Sequence, residues 1–192
     1  MSKQAKTLTQ VELRRVLDFI ATRPHAIRNR LMLLTTYYAG LRVGETASLF
    51  YGDIVDLDNN IRTEVHLQPT QTKGGIARTV FINEKLKKEL EVYIKAYPMK
   101  STSNKLFYTQ KKHTSGFSAN TLTQHFHYLY KKAGIDGASS HSGRRSFITN
   151  LASKGVGVRV LMSLAGHKNI STTQAYIDIN DDMKRKAVEL LT

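Results

Sequence analysis

The chain has 192 residues, and its 29 lysines and arginines exceed its 15 aspartates and glutamates, so the formal charge is +14 at pH 7. This excess argues against a neutral small-molecule enzyme and indicates a polyanionic partner, because each neutralised phosphate releases counterions. The absence of cysteine excludes disulfides, thiolate catalysis and Cys-ligated zinc. No apolar run approaches the roughly 20 residues that cross a bilayer, and no signal-peptide core follows the start. We expect a cytoplasmic protein with no membrane partner.

The excess charge is concentrated in one part of the chain. Residues 92–177 contain twelve lysines and arginines and a single acid, Asp136, so this stretch carries +11 of the total charge. Solubility alone does not remove acidic residues from half of a chain. We therefore interpret the stretch as the face that binds the polyanion.

Two helices are predicted in the first forty residues. Thr9 and Glu12 have the spacing of a capping box, and apolar residues follow at helical period, so the first helix begins near Gln10. The second helix covers about residues 26–39 and ends at Gly40.

The pattern changes to that of strands after residue 54. Apolar residues alternate from Ile61 to Leu67, and a β-branched and aromatic run covers Thr79 to Ile82. Gly74 and Gly75 lie between the two runs and mark a tight or mobile hairpin tip. These residues predict a small antiparallel sheet.

Helices are predicted along the rest of the chain. They begin after Asn83, after Ser118, near His141, near Val158, after a capping box at Ser171 and near Asp181. No repeat, low-complexity segment or long interior linker divides the chain. We predict a single mainly helical α+β domain with a small antiparallel sheet on one edge.

Several short clusters contain residue types that can hold a phosphodiester. Arg42 precedes Glu45 by three residues, which either orients a guanidinium for bidentate anion binding or forms a local ion pair at a helix start. Lys73 precedes Gly74 at the hairpin tip, where it either carries an ammonium into a groove or is an ordinary solvated charge. Each cluster alone is compatible with a purely structural role.

The second half of the chain adds two histidines, an arginine and a tyrosine. His141 and Arg144 are spaced to share a helical face, which suits a pair that flanks a phosphate. His167 follows a glycine turn, and Tyr176 comes nine residues later on a short helix that we expect Ser171 to cap. A single tyrosine is far more often a core or surface aromatic than a nucleophile, so its assignment depends on the other clusters.

Taken in order, these motifs resemble the catalytic domain of the tyrosine recombinase (phage integrase) family. The motifs are Gly-Leu-Arg-x-x-Glu, Thr-Lys-Gly, His-x-x-Arg, Leu-x-Gly-His and a Tyr nine residues later. The resemblance implies the recombinase catalytic-domain fold for residues 8–192, after an N-terminal extension of residues 1–7. One departure is Gly143, where the family often has Leu, and we expect it to loosen the start of its helix.

The resemblance also implies roles for the residues in these motifs. Arg42 and Arg144 would clamp the scissile phosphate. Tyr176 would be the nucleophile that forms a 3′-phosphotyrosyl bond and leaves a free 5′-hydroxyl. Lys73 would protonate the leaving oxygen, and His141 would assist proton transfer.

Two further residues would complete the site. His167 would donate a hydrogen bond to a phosphate oxygen, and Glu45 would support the Arg or His geometry. The sequence has no carboxylate cluster for Mg²⁺ and no P-loop, so we expect no metal and no cofactor. The expected DNA contacts are Lys111, Lys112, Lys131, Lys132, Arg145 and Lys168.

The implied function is site-specific DNA recombination of the integrase or invertase type. Two alternatives remain open, namely a catalytically idle DNA-binding accessory module and a type IB topoisomerase-like activity. The implied partners are double-stranded DNA, three further copies of the chain in a homotetramer on DNA, and DNA-bending accessory proteins.

Typical family members carry an N-terminal helical core-binding domain that closes the other half of a clamp around DNA. Here residues 1–7 alone precede the catalytic domain, so the chain is either excised from a longer protein or resembles short members such as the fimbrial-switch invertases. The initiating methionine favours the second alternative. The tail, residues 177–192, either packs on its own domain or is exchanged between protomers, which we favour slightly, through an apolar stripe of Met183, Ala187, Leu190 and Leu191.

Overall fold

The computed structural model describes residues 5–99, 101–109, 112–177 and 181–191, without the side chains of 112–115, 181–183, 186 and 190. The helices are α1 (Gln10–Ala21), α2 (Ala26–Tyr38), α3 (Val43–Ser48), α4 (Tyr51–Ile54), α5 (Glu84–Ala96), α6 (Ala119–Lys132), α7 (Ser142–Ser153), α8 (Val158–Ala165), α9 (Ile170–Gln174) and α10 (Asp181–Val188). Two antiparallel pairs of strands accompany them: β1 (Glu64–Leu67) with β2 (Arg78–Phe81), and β3 (Tyr108–Thr109) with β4 (Lys112–Gly116). Short 3₁₀ helices follow β1 and α10, at Pro69–Gln71 and Glu189–Leu191.

Helix α2 forms the centre of the core. It contacts α1, α3, α5 and α7, and most of its residues are buried. A helix buried on nearly every side must satisfy its polar groups internally. The hydroxyls of Thr35 and Thr36 do so by donating to the carbonyls of Met32 and Leu33 at 2.8 and 2.7 Å. In the described part of the chain, no helix is long and apolar enough to span a membrane.

Several predicted boundaries are confirmed. Thr9 and Glu12 form the capping box of α1, with each side chain bonded to the backbone nitrogen of the other residue. Asn83 and Ser118 cap α5 and α6 through their side chains. The predicted antiparallel sheet is the β1–β2 pair. Local capping and period-2 signals therefore place these elements correctly.

The prediction for the helix before Tyr176 is wrong. Helix α9 begins at Ile170 after Asn169, so Ser171 lies inside the helix and does not cap it. Thr173, which belongs to the expected capping-box segment, instead bonds through its hydroxyl to Nδ1 of His167 at 2.9 Å. Tyr176 lies in the turn that follows α9.

The region between α5 and α6 also differs from the prediction, which places no strand there. It contains the β3–β4 pair, whose second strand is short and polar and lacks the apolar alternation that identifies strands in a sequence. The β1–β2 connection is longer than a tight tip, since residues 68–77 include a 3₁₀ helix. The conformation of both segments therefore depends more on packing against the rest of the protein than on the local sequence pattern.

Gly143 holds α7 close to α2, which is the opposite of the expected loosening. It is buried in the first turn of α7, and a Cβ at this position would overlap the hydroxyl of Thr36. The absence of a side chain therefore permits a close helix contact. That contact brings the start of α7 beside the residues that follow α2.

Candidate active site

The C-terminal end of α8 gathers three arginine side chains. The last carbonyls of an α-helix have no partner within the helix. Here Arg78, Arg144 and Arg42 donate to the carbonyls of residues 164, 165 and 166, respectively. The distances are 2.9 Å for Arg78 and 3.1 Å for Arg42. Three consecutive carbonyls thus hold three guanidiniums side by side, and the partial negative charge of the helix end favours this arrangement.

Glu45 joins two of these arginines. Its side chain is 1% exposed, and Oε2 accepts from the backbone nitrogen of Arg42 and from Nη2 of Arg78, both at 2.7 Å. Oε1 accepts from Nη1 of Arg42 at 2.9 Å. Burial opposes ionisation of Glu45, but the bond and charge of Arg78 and the backbone bond from Arg42 outweigh it and lower the pKa. The local ion pair between Arg42 and Glu45 is therefore part of the same cluster as Arg78.

Arg144 is the most buried arginine of the cluster, with 5% of its surface exposed. It also donates through Nη1 to the carbonyl of Gly40 at 2.6 Å, which ties α7 to the end of α2. Burial and then repulsion from Arg42 lower the pKa of Arg144 to about 9, so it stays charged at neutral pH. Three guanidiniums and one carboxylate leave two positive charges in excess, which suits a site for an anion.

His167 and Tyr176 lie next to this cluster. His167 follows Gly166, the C-cap of α8, and burial and then the charge of Arg144 lower its pKa to about 4, so its ring is neutral at pH 7. When the Thr173 hydroxyl donates to Nδ1, the proton of the neutral ring resides on Nε2 and can be donated to a ligand. The rings of His167 and Tyr176 stack at 5.8 Å with 22° between their planes.

Lys73 and His141 lie on the open side of the site. Lys73 is exposed in the β1–β2 connection and lines a cleft of about 940 Å³ together with Arg42, Arg78 and His167. His141 precedes α7, and burial followed by the charges of Arg144, Lys73 and Arg42 lowers its pKa. The structure thus brings together the six residues that the sequence motifs single out, although they are spread over residues 42–176.

The predicted DNA-contact residues do not all lie in this cleft. Lys168 lines it, and its Cε lies 3.3 Å from the position that a Cβ on Gly74 would occupy. Lys111 and the side chain of Lys112 lie outside the described residues. Lys131 and Lys132 are exposed on α6, and Arg145 is half-buried on α7.

Residues 6–183 match the family model described as the phage integrase family. The chain belongs to the phage integrase family. The tyrosine recombinase XerA of Thermococcus kodakarensis is 35% identical to it over 188 residues, which cover 96% of this chain and 62% of that protein. XerA of Pyrococcus horikoshii is 31% identical over 185 residues, which cover 96% of this chain and 60% of that protein. This phage integrase family member therefore spans about three fifths of the length of these curated relatives.

Solved structures of the family share the fold. A crystal structure of XerA recombinase superposes with a TM-score of 0.76 at 26% identity, covering 99% of this chain and 66% of that one. The Tn1549 transposon integrase in complex with circular intermediate DNA gives 0.74 at 22% identity, covering 100% of this chain and 68% of that one. The predicted fold class, a mainly helical α+β tyrosine recombinase catalytic domain, is confirmed.

Sequence reasoning missed Arg78, which this family member places at the centre of its arginine cluster. Arg78 bonds Glu45 and α8, and its side chain is 9% exposed. No local motif marks it. The one available signal was that a charged residue directly precedes the β-branched run from Thr79. Strand periodicity alone does not show whether such a residue faces the core or the solvent.

Proposed function

We propose that the chain is the catalytic domain, residues 8–192, of a site-specific DNA recombinase that cleaves and rejoins DNA through a 3′-phosphotyrosyl intermediate. The observation that carries the proposal is the end of α8, which holds Arg42 and Arg144 beside a neutral His167 in ring contact with Tyr176. Fixed cations and a neutral hydrogen-bond donor beside a nucleophile suit a phosphodiester whose charge grows during attack.

The arginines act by position and charge. Arg42 and Arg144 neutralise the non-bridging oxygens, and His167 donates its Nε2 proton to one of them. Because the guanidiniums are already fixed by carbonyls, the site needs no reorganisation when negative charge develops. The partly buried surroundings strengthen these interactions relative to bulk water. Glu45 keeps Arg42 in place and does not contact the phosphate.

Proton transfer is assigned to the open side of the site. The oxygen of Tyr176 attacks phosphorus as the bond from phosphorus to the 5′ oxygen breaks. The neutral imidazole of His141 accepts the tyrosine proton, and Lys73 protonates the 5′ oxygen. Rejoining reverses the step, since the 5′-hydroxyl attacks the phosphotyrosyl bond, whose energy has been retained.

Double-stranded DNA is the proposed partner. Support comes from the net charge of +14 and from two structural neighbours, the Tn1549 integrase in complex with circular intermediate DNA and the XerH recombinase bound to difH substrate. The proposed backbone contacts are Lys111, Lys112, Lys131, Lys132 and Lys168. Neutralising each of them should weaken binding for all sequences alike and reduce its salt dependence.

We further propose a homotetramer on DNA in which residues 177–192 dock on a neighbouring protomer, together with DNA-bending accessory proteins. Val188 and Leu191 support tail docking, because they are 65% and 87% exposed and apolar side chains favour burial. Light scattering of the DNA complex, with and without residues 181–192, tests the proposal. A tetramer that persists without those residues would exclude tail docking as the basis of assembly.

The decisive experiment is a covalent trapping assay. Nicked duplexes of random sequence should form a protein–DNA adduct with the wild-type chain, and Tyr176→Phe should abolish it. Sequencing the captured 3′ ends then identifies the target site. An adduct that survives Tyr176→Phe contradicts the nucleophile assignment. Salt-sensitive binding without any adduct would favour an idle DNA-binding module, and relaxation of a plasmid without a specific site would favour a topoisomerase-like activity.

A further inference from the structure

The segment that precedes α1 is attached to α7 by two consecutive residues. The backbone nitrogen of Leu8 donates to Oγ of Ser146 at 2.7 Å, and Leu8 itself is buried in the core. The hydroxyl of Thr7 accepts a hydrogen bond from Nε of Arg145 at 3.1 Å. The position of the Arg145 side chain is therefore linked to the position of this segment.

Arg145 also contacts the proposed nucleophile. The central carbon of its guanidinium lies 5.1 Å from the centroid of the Tyr176 ring, within the range of a cation–π interaction. Tyr176 lies in a turn and not in a helix, so its side-chain contacts have a large part in fixing the ring. Those contacts include the stacked ring of His167 and the guanidinium of Arg145.

Two adjacent arginines of α7 thus have different surroundings. Successive residues on a helix point in different directions. Arg144 points to the carbonyls of residues 40 and 165, whereas Arg145 points to Thr7 and Tyr176. The DNA-backbone contact that the sequence suggests for Arg145 does not account for its bond to Thr7 or for its contact with the Tyr176 ring.

We propose that Arg145, itself held by Thr7, is a positioning residue that sets the ring of Tyr176 for attack and couples the segment before α1 to the nucleophile. The inference rests on the proposed function in that Tyr176 is taken as the nucleophile. A displacement of about 1 Å in a reacting group can cost about 10²-fold in rate. Loss of the Arg145 contact should therefore slow cleavage and leave DNA affinity nearly unchanged.

The test compares Arg145→Met, Arg145→Lys and Thr7→Val with Lys132→Gln, a proposed backbone contact, and with Lys88→Gln, an exposed cation on α5 that has no proposed role. The rate of adduct formation is measured in a single turnover at saturating nicked DNA, and affinity is measured at several salt concentrations. We expect Arg145→Met to slow the adduct step about 10-fold or more, Thr7→Val to slow it less, and Arg145→Lys to recover part of the rate. Lys132→Gln should lower affinity and its salt dependence, whereas Lys88→Gln should change neither the affinity nor the saturated rate by more than a small amount.

A second measurement reports on the ring without requiring activity. The chain is labelled with 3-fluorotyrosine, and the Tyr176 resonance is assigned by its loss in Tyr176→Phe. Arg145→Met and Thr7→Val should shift that fluorine resonance, whereas Lys88→Gln should not. If Arg145→Met does not fold, Thr7→Val and Arg145→Lys, which alter the packing least, test whether Arg145 positions the ring.

The outcomes separate this inference from the proposed function. If the wild-type chain forms the adduct but the Arg145 and Thr7 variants keep both rate and resonance, the inference is overturned. Loss of affinity alone would make Arg145 a backbone contact and would also overturn it. If the resonance shifts as expected in a chain that forms no adduct on any duplex, the positioning of Tyr176 stands and the recombinase proposal fails.

Discussion

The two sides of the candidate site are built differently. On one side, the guanidiniums of Arg42, Arg78 and Arg144 are bonded to the carbonyls at the end of α8. On the other side, Lys73 and His141 are exposed, and neither side chain has a hydrogen-bond partner among the described residues. In the proposed reaction, the charges that stabilise the phosphate are held in place, whereas the two groups proposed to exchange protons lack such bonds among the described residues.

This difference predicts how the two sides respond to substitution. The fixed side also connects α2, β2, α7 and α8, so its residues should affect both folding and chemistry. The open side makes no such connections and should affect chemistry alone. Unfolding and cleavage measured on the same variants therefore test whether the division is real.

The largest effect is expected from Arg144→Met. The substitution removes the Arg144 donors from the buried carbonyls of Gly40 and Ala165 and a cation from the proposed phosphate site. The free energy of unfolding should fall by about 1–3 kcal/mol, since relief of the repulsion from Arg42 offsets part of the loss. Single-turnover adduct formation should fall about 10³-fold. Urea unfolding and trapping on nicked DNA measure the two changes.

Arg144→Lys is the matched control for the fixed side. It keeps one positive charge but cannot donate to both carbonyls, because an ammonium lacks the planar fork of a guanidinium. We expect it to recover less than half of the lost stability. A variant Arg144→Met that cleaves poorly yet unfolds like the wild type would show that the carbonyl bonds do not connect the elements as described.

Lys73→Ala should separate chemistry from folding. Removing a general acid lowers a rate by about 10²–10⁴-fold. An exposed side chain without partners should change the free energy of unfolding by no more than about 0.5 kcal/mol. A duplex whose scissile 5′ oxygen is replaced by sulfur tests the role directly, because a thiolate leaves without protonation.

The sulfur substrate should restore cleavage by Lys73→Ala to within about 10-fold of the wild type, since thiols are far stronger acids than alcohols. Lys168→Ala removes a charge from the same cleft and serves as the control, which sulfur should not rescue. Equal rescue of both variants would mean that Lys73 contributes only charge to the cleft.

Arg78→Met should have an intermediate effect, since Arg78 acts through Glu45 and the end of α8. We expect cleavage to fall about 10–100-fold, because Glu45, which holds Arg42, loses its bonds to Arg78 and positions Arg42 less firmly. The pKa of His167 should rise from about 4, since the charge of Arg78 is one of its causes after burial, Arg144 and Arg42. An NMR titration of His167 measures the shift, and Arg78→Lys should keep the pKa low. An unchanged pKa in Arg78→Met would contradict the placement of Arg78.

Much of the fold could be predicted because its signals are local. The caps at Thr9, Asn83 and Ser118 and the apolar period-3.6 stripes depend only on neighbouring residues. The β3–β4 pair and the start of α9 could not be predicted in this way. Polar strands pair through tertiary context, and the hydroxyl of Thr173 is committed to His167, not to a cap.

The site shows the same division. Residues within motifs could be singled out by local spacing together with the resemblance to the family, whereas Arg78 and the contact between Arg145 and Tyr176 could not. Arg78 depends on a carboxylate 33 residues earlier and a carbonyl 86 residues later. Gly143 was misread because its role lies in the distance between two helices, which no local pattern reports.

The smallest predicted effect concerns pH. In the unfolded chain His141 and His167 titrate near 6.5, whereas burial and nearby arginines lower both pKa values in the folded chain, that of His167 to about 4. Between about pH 6.5 and 4 the unfolded state therefore binds more protons, and stability falls as the pH falls. From pH 7 to 5 the loss from His167 should be on the order of 1 kcal/mol after allowance for solvent screening. Urea unfolding of the wild type and of His167→Gln measures it, and equal pH dependence in the two would show that the arginine cluster does not depress this titration.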